Sequence, residues 1–89
     1  SKKNKVKIGE NLFGLIEKSL PERIDSNAWS IWTKLILQKV DLKPKELFVT
    51  LRMLLTGKSY GPSMNELLTL FSRDEILKRI RNNCEKKRN

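Results

Sequence analysis

The sequence predicts an all-α fold, a small bundle of about five short helices, from three observations. Apolar residues recur at three- and four-residue spacing along nearly the whole chain, which is the period of amphipathic helices. No sustained alternation of apolar and polar residues indicates a strand. Proline and glycine residues interrupt the helical pattern at short intervals and mark turns between helices. With 89 residues, the chain is expected to form one domain around one core.

The first helix is predicted from Glu10 to about Ser19, and Pro21 ends it because proline cannot continue a helix. Its apolar stripe comprises Leu12, Phe13, Ile16 and Leu20.

The second helix is predicted to begin at Asp25 or Ser26, since either side chain can cap exposed amides. Its apolar face contains two tryptophans, which could serve as stacking platforms for bases. At helical spacing beside leucines we assign them to the core. The face comprises Trp29, Trp32, Ile36 and Val40.

The third helix is predicted to start near Pro44, which suits a first helical turn, and to end at Gly57 as a left-handed cap. The fourth should begin after Pro62, with Ser63 and Glu66 as a capping box. The predicted buried face of the third helix comprises Leu47, Phe48, Leu51, Leu54 and Leu55.

The last helix is predicted to begin at Ser72, where Ser72 and Glu75 repeat the capping-box pattern. Its inward residues are Ile76, Leu77 and Ile80. The domain organisation is therefore a basic flexible segment at residues 1–9, a helical domain at 10–81 and a basic tail at 82–89.

The charge predicts a polyanionic partner, with nucleic acid ahead of a membrane surface. The net charge is +9, from 19 lysines and arginines against 10 acidic residues. More than half of the basic residues lie near the two ends, where they can be solvated tails. No apolar run is long enough to span a membrane, and the lysine-rich start lacks the apolar block of a signal peptide.

The residue inventory predicts no catalytic residue and no metal site in this chain. There is no histidine, the commonest general base and metal ligand. The one cysteine, Cys84, excludes an internal disulfide and is expected to be an incidental thiol near a frayed end. Carboxylates are scattered rather than clustered at metal-ligand spacing.

The stretch LRMLLTGKSYGPSMNEL contains Thr56-Gly57-Lys58-Ser59, which reads like the end of a phosphate-binding loop. Such a loop needs a glycine where this chain has Arg52, and it lies between a strand and a helix. A nucleotide hydrolase is therefore disfavoured. Arg52 lies at the edge of the apolar face, where it could form a surface ion pair, for example with Glu66, or present its planar donor fork to a base or phosphate.

The loop Lys58–Ser63 offers one cation, one aromatic ring, two hydroxyls and a glycine that permits close backbone approach. Unpaired RNA bases are recognised by stacking and by donors to their edges. The loop therefore has suitable groups for RNA, although ordinary interhelical turns contain them too.

The segment LFVTLRMLLTGKSYGPSMNELLTLFSRDEILKRI resembles the C-terminal anticodon-binding region of bacterial-type glutamyl-tRNA synthetase, a class I enzyme. The resemblance covers about residues 26 to 80, including the upstream AWSIWTKLI and DLKPKELF. The residues that carry it are Leu51-Arg52, Leu55-Thr56-Gly57, Gly61-Pro62, Glu66-Leu67-Leu68 and Lys78-Arg79-Ile80.

The chain departs from the family pattern at two positions and lacks the signature motifs of class I catalytic domains. Thr50 stands where the family usually has proline, and Ser72 stands where glycine is common. If the resemblance holds, the chain is a piece of a much longer enzyme. It then has no cofactor of its own, and ATP and magnesium belong to the missing catalytic domain.

The resemblance implies an anticodon-binding domain for the anticodon stem-loop of tRNA(Glu), in a parent enzyme expected to be monomeric and cytoplasmic. It implies that Arg52 contacts an anticodon base and that Gly61, Pro62 and Met64 line a pocket for neighbouring bases. Met64 could instead be a core filler. Lys58, Ser59 and Tyr60 are expected to support the loop or hold phosphates, contacts that position RNA without reading its sequence.

Two other functions compete with this interpretation: a small basic helical protein-interaction module, and a non-specific nucleic-acid binder. A helix-turn-helix DNA binder is disfavoured, because residues 64–71 carry no lysine or arginine to enter a major groove.

Overall fold

The computed structural model of the protein describes residues 5–88. Within that range five α-helices form a bundle, and a two-stranded parallel sheet joins the two ends of the described chain. The predicted helical bundle is confirmed, whereas the two strands were not predicted. In chain order the elements are β1 (Val6–Gly9), α1 (Glu10–Ser19), α2 (Ala28–Leu37), α3 (Pro44–Thr56), α4 (Met64–Leu67), a 3-10 turn (Leu68–Leu70), α5 (Arg73–Asn83) and β2 (Cys84–Lys87).

The ends of α3 are fixed by local chemistry, as predicted. Pro44 occupies the first turn, and the Glu46 carboxylate accepts a hydrogen bond from the Lys43 amide at 3.2 Å. Gly57 ends the helix in the left-handed conformation, at φ 78°, and its N–H donates to the Met53 carbonyl at 2.8 Å. The bounds of α1 also match the prediction.

The predicted start of α2 was early. The Asp25 side chain accepts from the Asn27 amide at 2.9 Å, and the Ala28 amide donates to the Asp25 carbonyl at 3.0 Å. These bonds hold residues 25–28 in a turn, so regular helix begins only at Ala28.

The predicted capping box at Ser63 was wrong, whereas at Ser72 the serine half of the predicted box is confirmed and the Glu75 carboxylate instead accepts from Arg79. The Ser72 hydroxyl accepts from the Glu75 amide at 3.0 Å. The Ser63 side chain makes no capping bond, and its carbonyl instead accepts from the amides of Glu66 and Leu67. The helix α4 has only four residues before the chain tightens into the 3-10 turn.

The parallel sheet corrects the prediction that residues 1–9 and 82–89 flank the domain as a flexible segment and a tail. Val6 pairs with Cys84 and Gly9 with Lys87, while residues 82 and 83 continue α5. Residues 1–4 and 89 lie outside the described part of the chain. Cys84 is buried at 9% exposure, not at a frayed end. Desolvation by burial raises the pKa of the Cys84 thiol, which Lys86 and Lys5 partly oppose.

The core contains both tryptophans, which confirms their assignment as core residues. Their rings meet edge to face at 6.1 Å. The Trp32 indole N–H donates to the Ile16 carbonyl at 2.9 Å and so satisfies a terminal carbonyl of α1. The predicted α3 face is fully buried except at Phe48, which is 38% exposed. The largest fully buried side chains are Trp32, Ile16, Ile36, Leu47, Leu51, Leu54, Leu55, Leu68, Ile76 and Ile80.

Within residues 5–88, no helix has both the length and the apolar content needed to cross a membrane.

Candidate nucleic-acid interface

Arg52 projects from the flank of α3 and contains an unpaired buried donor. Its Nη1 atom is shielded from solvent and has no hydrogen-bond partner. None of the ion pairs among residues 5–88 involves Arg52, so the ion pair with Glu66 considered above is not formed. A buried donor without a partner costs about 1–3 kcal/mol, and more when it is charged, so such groups call for an explanation.

Gly61 is the residue against which the Arg52 guanidinium packs. A Cβ atom at position 61 would lie 3.0 Å from Arg52 Nη1. The backbone there has φ +149°, a conformation that L side chains rarely adopt. The close approach permitted by this glycine is therefore used by Arg52, and the structure brings these two predicted site residues together.

Thr56 and Gly57 fix the start of the loop that follows α3. The Thr56 hydroxyl lies 2.8 Å from the Arg52 carbonyl, to which it can donate, and it accepts from the Lys58 amide at 3.0 Å. Because the turn bonds back onto α3, the direction in which the chain leaves the helix is set by Thr56.

Residues 57–63 are all exposed, so the predicted loop residues face solvent. The Lys58 ammonium lies 5.8 Å from the centre of the Tyr60 ring, and Tyr60 is 70% exposed. Ser59 and Pro62 lie on the same exposed loop. The loop therefore presents a cation and an aromatic ring next to the residue that contacts Arg52.

Met64 is placed differently from the rest of the predicted site. It is 5% exposed and belongs to the core cluster, at the first position of α4. The structure thus gives it the core-filling role that was left open above. A direct contact between Met64 and a base stays a prediction.

Two residues of α5 hold the end of α3, and neither role was predicted from the sequence. Arg79 Nη1 donates to the Leu55 carbonyl at 2.9 Å, and Asn83 Nδ2 donates to the Leu54 carbonyl at 2.7 Å. These carbonyls lie in the last turn of α3, where no backbone amide of the helix can reach them. Arg79 and Asn83 therefore fix the point from which the exposed loop leaves.

The other α5 arginines also make intramolecular contacts. Arg73 donates to the Pro21 carbonyl at 3.0 Å and to the Leu20 carbonyl at 3.2 Å, beyond the end of α1. Arg81 pairs with the Glu17 carboxylate. Much of the positive charge near the C-terminus is thus engaged in holding α5 to the bundle. Helical spacing alone could not reveal this, because each partner is more than 50 residues away in sequence.

The arrangement suits the binding of a group rich in hydrogen-bond acceptors. Arg52 supplies guanidinium donors, and Lys58 supplies a second cation on the exposed loop. A base oxygen or nitrogen, or a phosphate oxygen, is the complementary acceptor.

Comparison with known proteins gives a consistent result. A protein-family model described as "Anticodon binding domain" matches residues 3–84. Glutamate--tRNA ligase 1 of Rickettsia prowazekii is 46% identical over 63 residues, which is 71% of this chain and 14% of that protein. Glutamate--tRNA ligase 2 of Bartonella bacilliformis is 44% identical over 62 residues, 68% of this chain and 14% of that protein.

The chain thus spans about one seventh of the length of these curated relatives. The search of solved structures gives no match. The family match covers nearly the whole chain, including Arg52 and the loop after α3. This chain belongs to the family of anticodon-binding domains found in glutamate--tRNA ligases.

Proposed function

We propose that this domain binds the anticodon stem-loop of tRNA(Glu) and presents that tRNA to a catalytic domain elsewhere in the parent protein. The relatives are named glutamate--tRNA ligases, and the chain matches only about one seventh of their length. The parent would therefore join glutamate to tRNA(Glu) outside this segment, with ATP and magnesium as its cofactors. We further propose that the parent acts in the cytoplasm as a monomer.

The observation that carries the proposal is the unpaired Nη1 of Arg52, packed on Gly61. Arg52 as a whole is partly exposed, so an anticodon base can approach its guanidinium, and a turn of the side chain away from Gly61 would bring the shielded Nη1 to an acceptor on that base. Because the two residues are in contact, a base that meets Arg52 also meets the backbone at Gly61 and Pro62. A well-placed arginine pairing discriminates against a wrong base by about 1–3 kcal/mol in DNA grooves, and we expect a similar scale here.

Lys58, Ser59 and Tyr60 have a different role in this proposal. They lie on the exposed loop, where the Lys58 ammonium can neutralise a phosphate and the Tyr60 ring can contact a sugar or base. Contacts with the RNA backbone add affinity without reading sequence. Met64 would act indirectly, by supporting the loop from the core.

The test compares the binding of two stem-loop RNAs, one with the glutamate anticodon and one with a scrambled anticodon, at several salt concentrations. Arg52→Ala should reduce the preference between the two RNAs by about 5- to 150-fold, the equivalent of 1–3 kcal/mol. Gly61→Ala should act in the same direction, because an L side chain is strained at φ +149° and its methyl group would press on Arg52 Nη1 from 3.0 Å.

Lys58→Ala is the matched control, since it also removes one cation from the same region. It should weaken both RNAs alike and reduce the salt slope by about 0.7–1. Equal binding of the two RNAs by the unmodified domain would rule out specific anticodon recognition.

A further inference from the structure

We propose that Phe48 is a stacking platform for an unpaired nucleotide, and that Lys45, Phe48 and Arg52 form one continuous RNA-binding flank on α3. The inference rests on the proposed function and extends it to a binding residue that the family resemblance does not supply. We call these three residues the α3 flank.

Phe48 is the residue of the apolar α3 face that does not enter the core. The four leucines of that face are completely buried, whereas Phe48 is 38% exposed. Its ring packs on Trp29, with ring centres 5.8 Å apart and planes tilted by 50°. A ring supported on one side by a buried tryptophan is already held in place. Stacking of a base on its open side therefore requires little further ordering of the protein.

Helix geometry places the cations of the α3 flank beside this ring. Residues 45, 48 and 52 are three and four positions apart, so their side chains are neighbours along one side of α3. Lys45 is exposed, and Arg52 carries the unpaired donor described above. The acidic residue nearest in sequence is Glu46, which lies about 100° around the helix from Lys45. Its carboxylate accepts a hydrogen bond from the Lys43 amide.

Charge decides the kind of partner that fits this flank. An exposed aromatic ring between two cations, with no acid on the same side of the helix, matches the alternation of bases and phosphates in single-stranded RNA. A protein partner would have to bring acidic groups to both cations at a helical spacing. The α3 flank is also continuous with the contact between Arg52 and Gly61, so one RNA loop can reach both.

The experiment uses the 89-residue chain and the glutamate anticodon stem-loop with 2-aminopurine placed at each loop position in turn. In the unmodified protein, one position should show quenched fluorescence on binding, because the base stacks on Phe48. Phe48→Leu should abolish that quenching and weaken binding about 5- to 10-fold, the lower end of the range for base stacking on an aromatic residue. The salt slope should not change, because no ion pair is lost.

Phe48→Tyr keeps the ring and should bind within about twofold of the unmodified protein. Ile31→Ala is the matched control, since Ile31 is exposed at 49% and lies on the side of α2 opposite to the one that carries Trp29. It should not affect binding. Thermal unfolding of each variant shows whether it is folded.

The outcomes separate this inference from the proposed function. If Phe48→Leu binds both stem-loops as tightly as the unmodified protein does, and no loop position is quenched, stacking on Phe48 is refuted, whatever the effect of Arg52→Ala. If Phe48→Leu weakens both stem-loops while the unmodified protein does not distinguish them, stacking is supported and anticodon specificity fails. Absence of any RNA binding would overturn both.

Discussion

Replacing Arg79 with alanine should destabilise the domain, because this side chain ties α5 to the end of α3. Its guanidinium donates to the Leu55 carbonyl at 2.9 Å and to the Glu75 carboxylate at 2.8 Å. It also lies over the Phe71 ring, with its central carbon 4.3 Å from the ring centre. Removing it leaves a carbonyl in the last turn of α3 without its donor.

The size of the effect follows from these contacts. A hydrogen bond from a charged donor contributes about 1.5–3 kcal/mol, and a cation over an aromatic ring at a partly exposed site contributes about 0.5–1 kcal/mol. The Glu75 pair adds only about 0.3–0.5 kcal/mol, because both side chains are more than one third exposed. We expect a loss of about 2–3 kcal/mol in the free energy of unfolding, near the lower end of the range obtained by adding these contributions. For a domain of this size the Tm should fall by about 10–20 °C.

Thermal unfolding followed by circular dichroism measures the loss, with Lys78→Ala as the matched control. Lys78 precedes Arg79 on α5 and is exposed, so its removal takes away the same charge and should cost less than about 0.5 kcal/mol. Arg79→Lys should fall between the two, because an ammonium group lacks the planar fork that serves two acceptors at once. If Arg79→Ala unfolds at the same temperature as Lys78→Ala, the capping role is refuted.

Two further predictions concern the buried core and the sheet. Trp32→Phe should cost about 2–4 kcal/mol in urea unfolding, because the Ile16 carbonyl loses its donor and a void remains; Trp29→Phe, which leaves that carbonyl paired, should cost clearly less. Cys84 should react with a disulfide reagent at pH 8 much more slowly in the native protein than in urea, since burial raises the pKa of its thiol. Below the pKa of the unfolded thiol, Cys84 is neutral in both states and the free energy of unfolding keeps its full value. As the pH rises above that pKa, the thiol ionises more readily in the unfolded state, and the free energy of unfolding falls. Equal reaction rates in the two states would show that Cys84 is not buried.

The parts of the fold that could be predicted are those determined by interactions between residues only a few positions apart in sequence. Pro44 and Gly57 bound α3, and Ser72 caps α5, because each acts on backbone groups at most four positions away. Ser63 failed as a cap although its sequence pattern is as good as that of Ser72. The short α4 and the 3-10 turn after it satisfy the backbone in another way. A capping pattern in the sequence therefore does not by itself show that the side-chain cap forms.

The sheet could not be predicted, because its two strands are distant in sequence. The Val6 and Cys84 positions pair across almost the whole length of the chain. A strand of four residues has too few alternating positions to give a sequence signal. The pairing depends on the packed tertiary structure, in which Cys84, at the start of β2, is buried.

The candidate site was predicted only in part. The resemblance supplied Arg52 and Gly61, and the structure gives their physical relation: the guanidinium packs against a glycine whose backbone, at φ +149°, disfavours any side chain. The roles of Arg79 and Asn83 were missed, because both depend on carbonyls contributed by a different helix. Phe48 was predicted to be buried with its neighbours, and only the packing of α2 against α3 shows that it is not.

The sequence by itself determined the helical class, most helix ends, the positive charge and the family, since these depend on local spacing, composition and motif order. Tertiary structure decided which of the charges are engaged by acceptors within the bundle. Arg73, Arg79 and Arg81 are held by intramolecular acceptors, whereas Arg52 keeps a donor without one. The reason is that a helical period says which side of a helix a residue occupies, and only the packed bundle says what lies opposite.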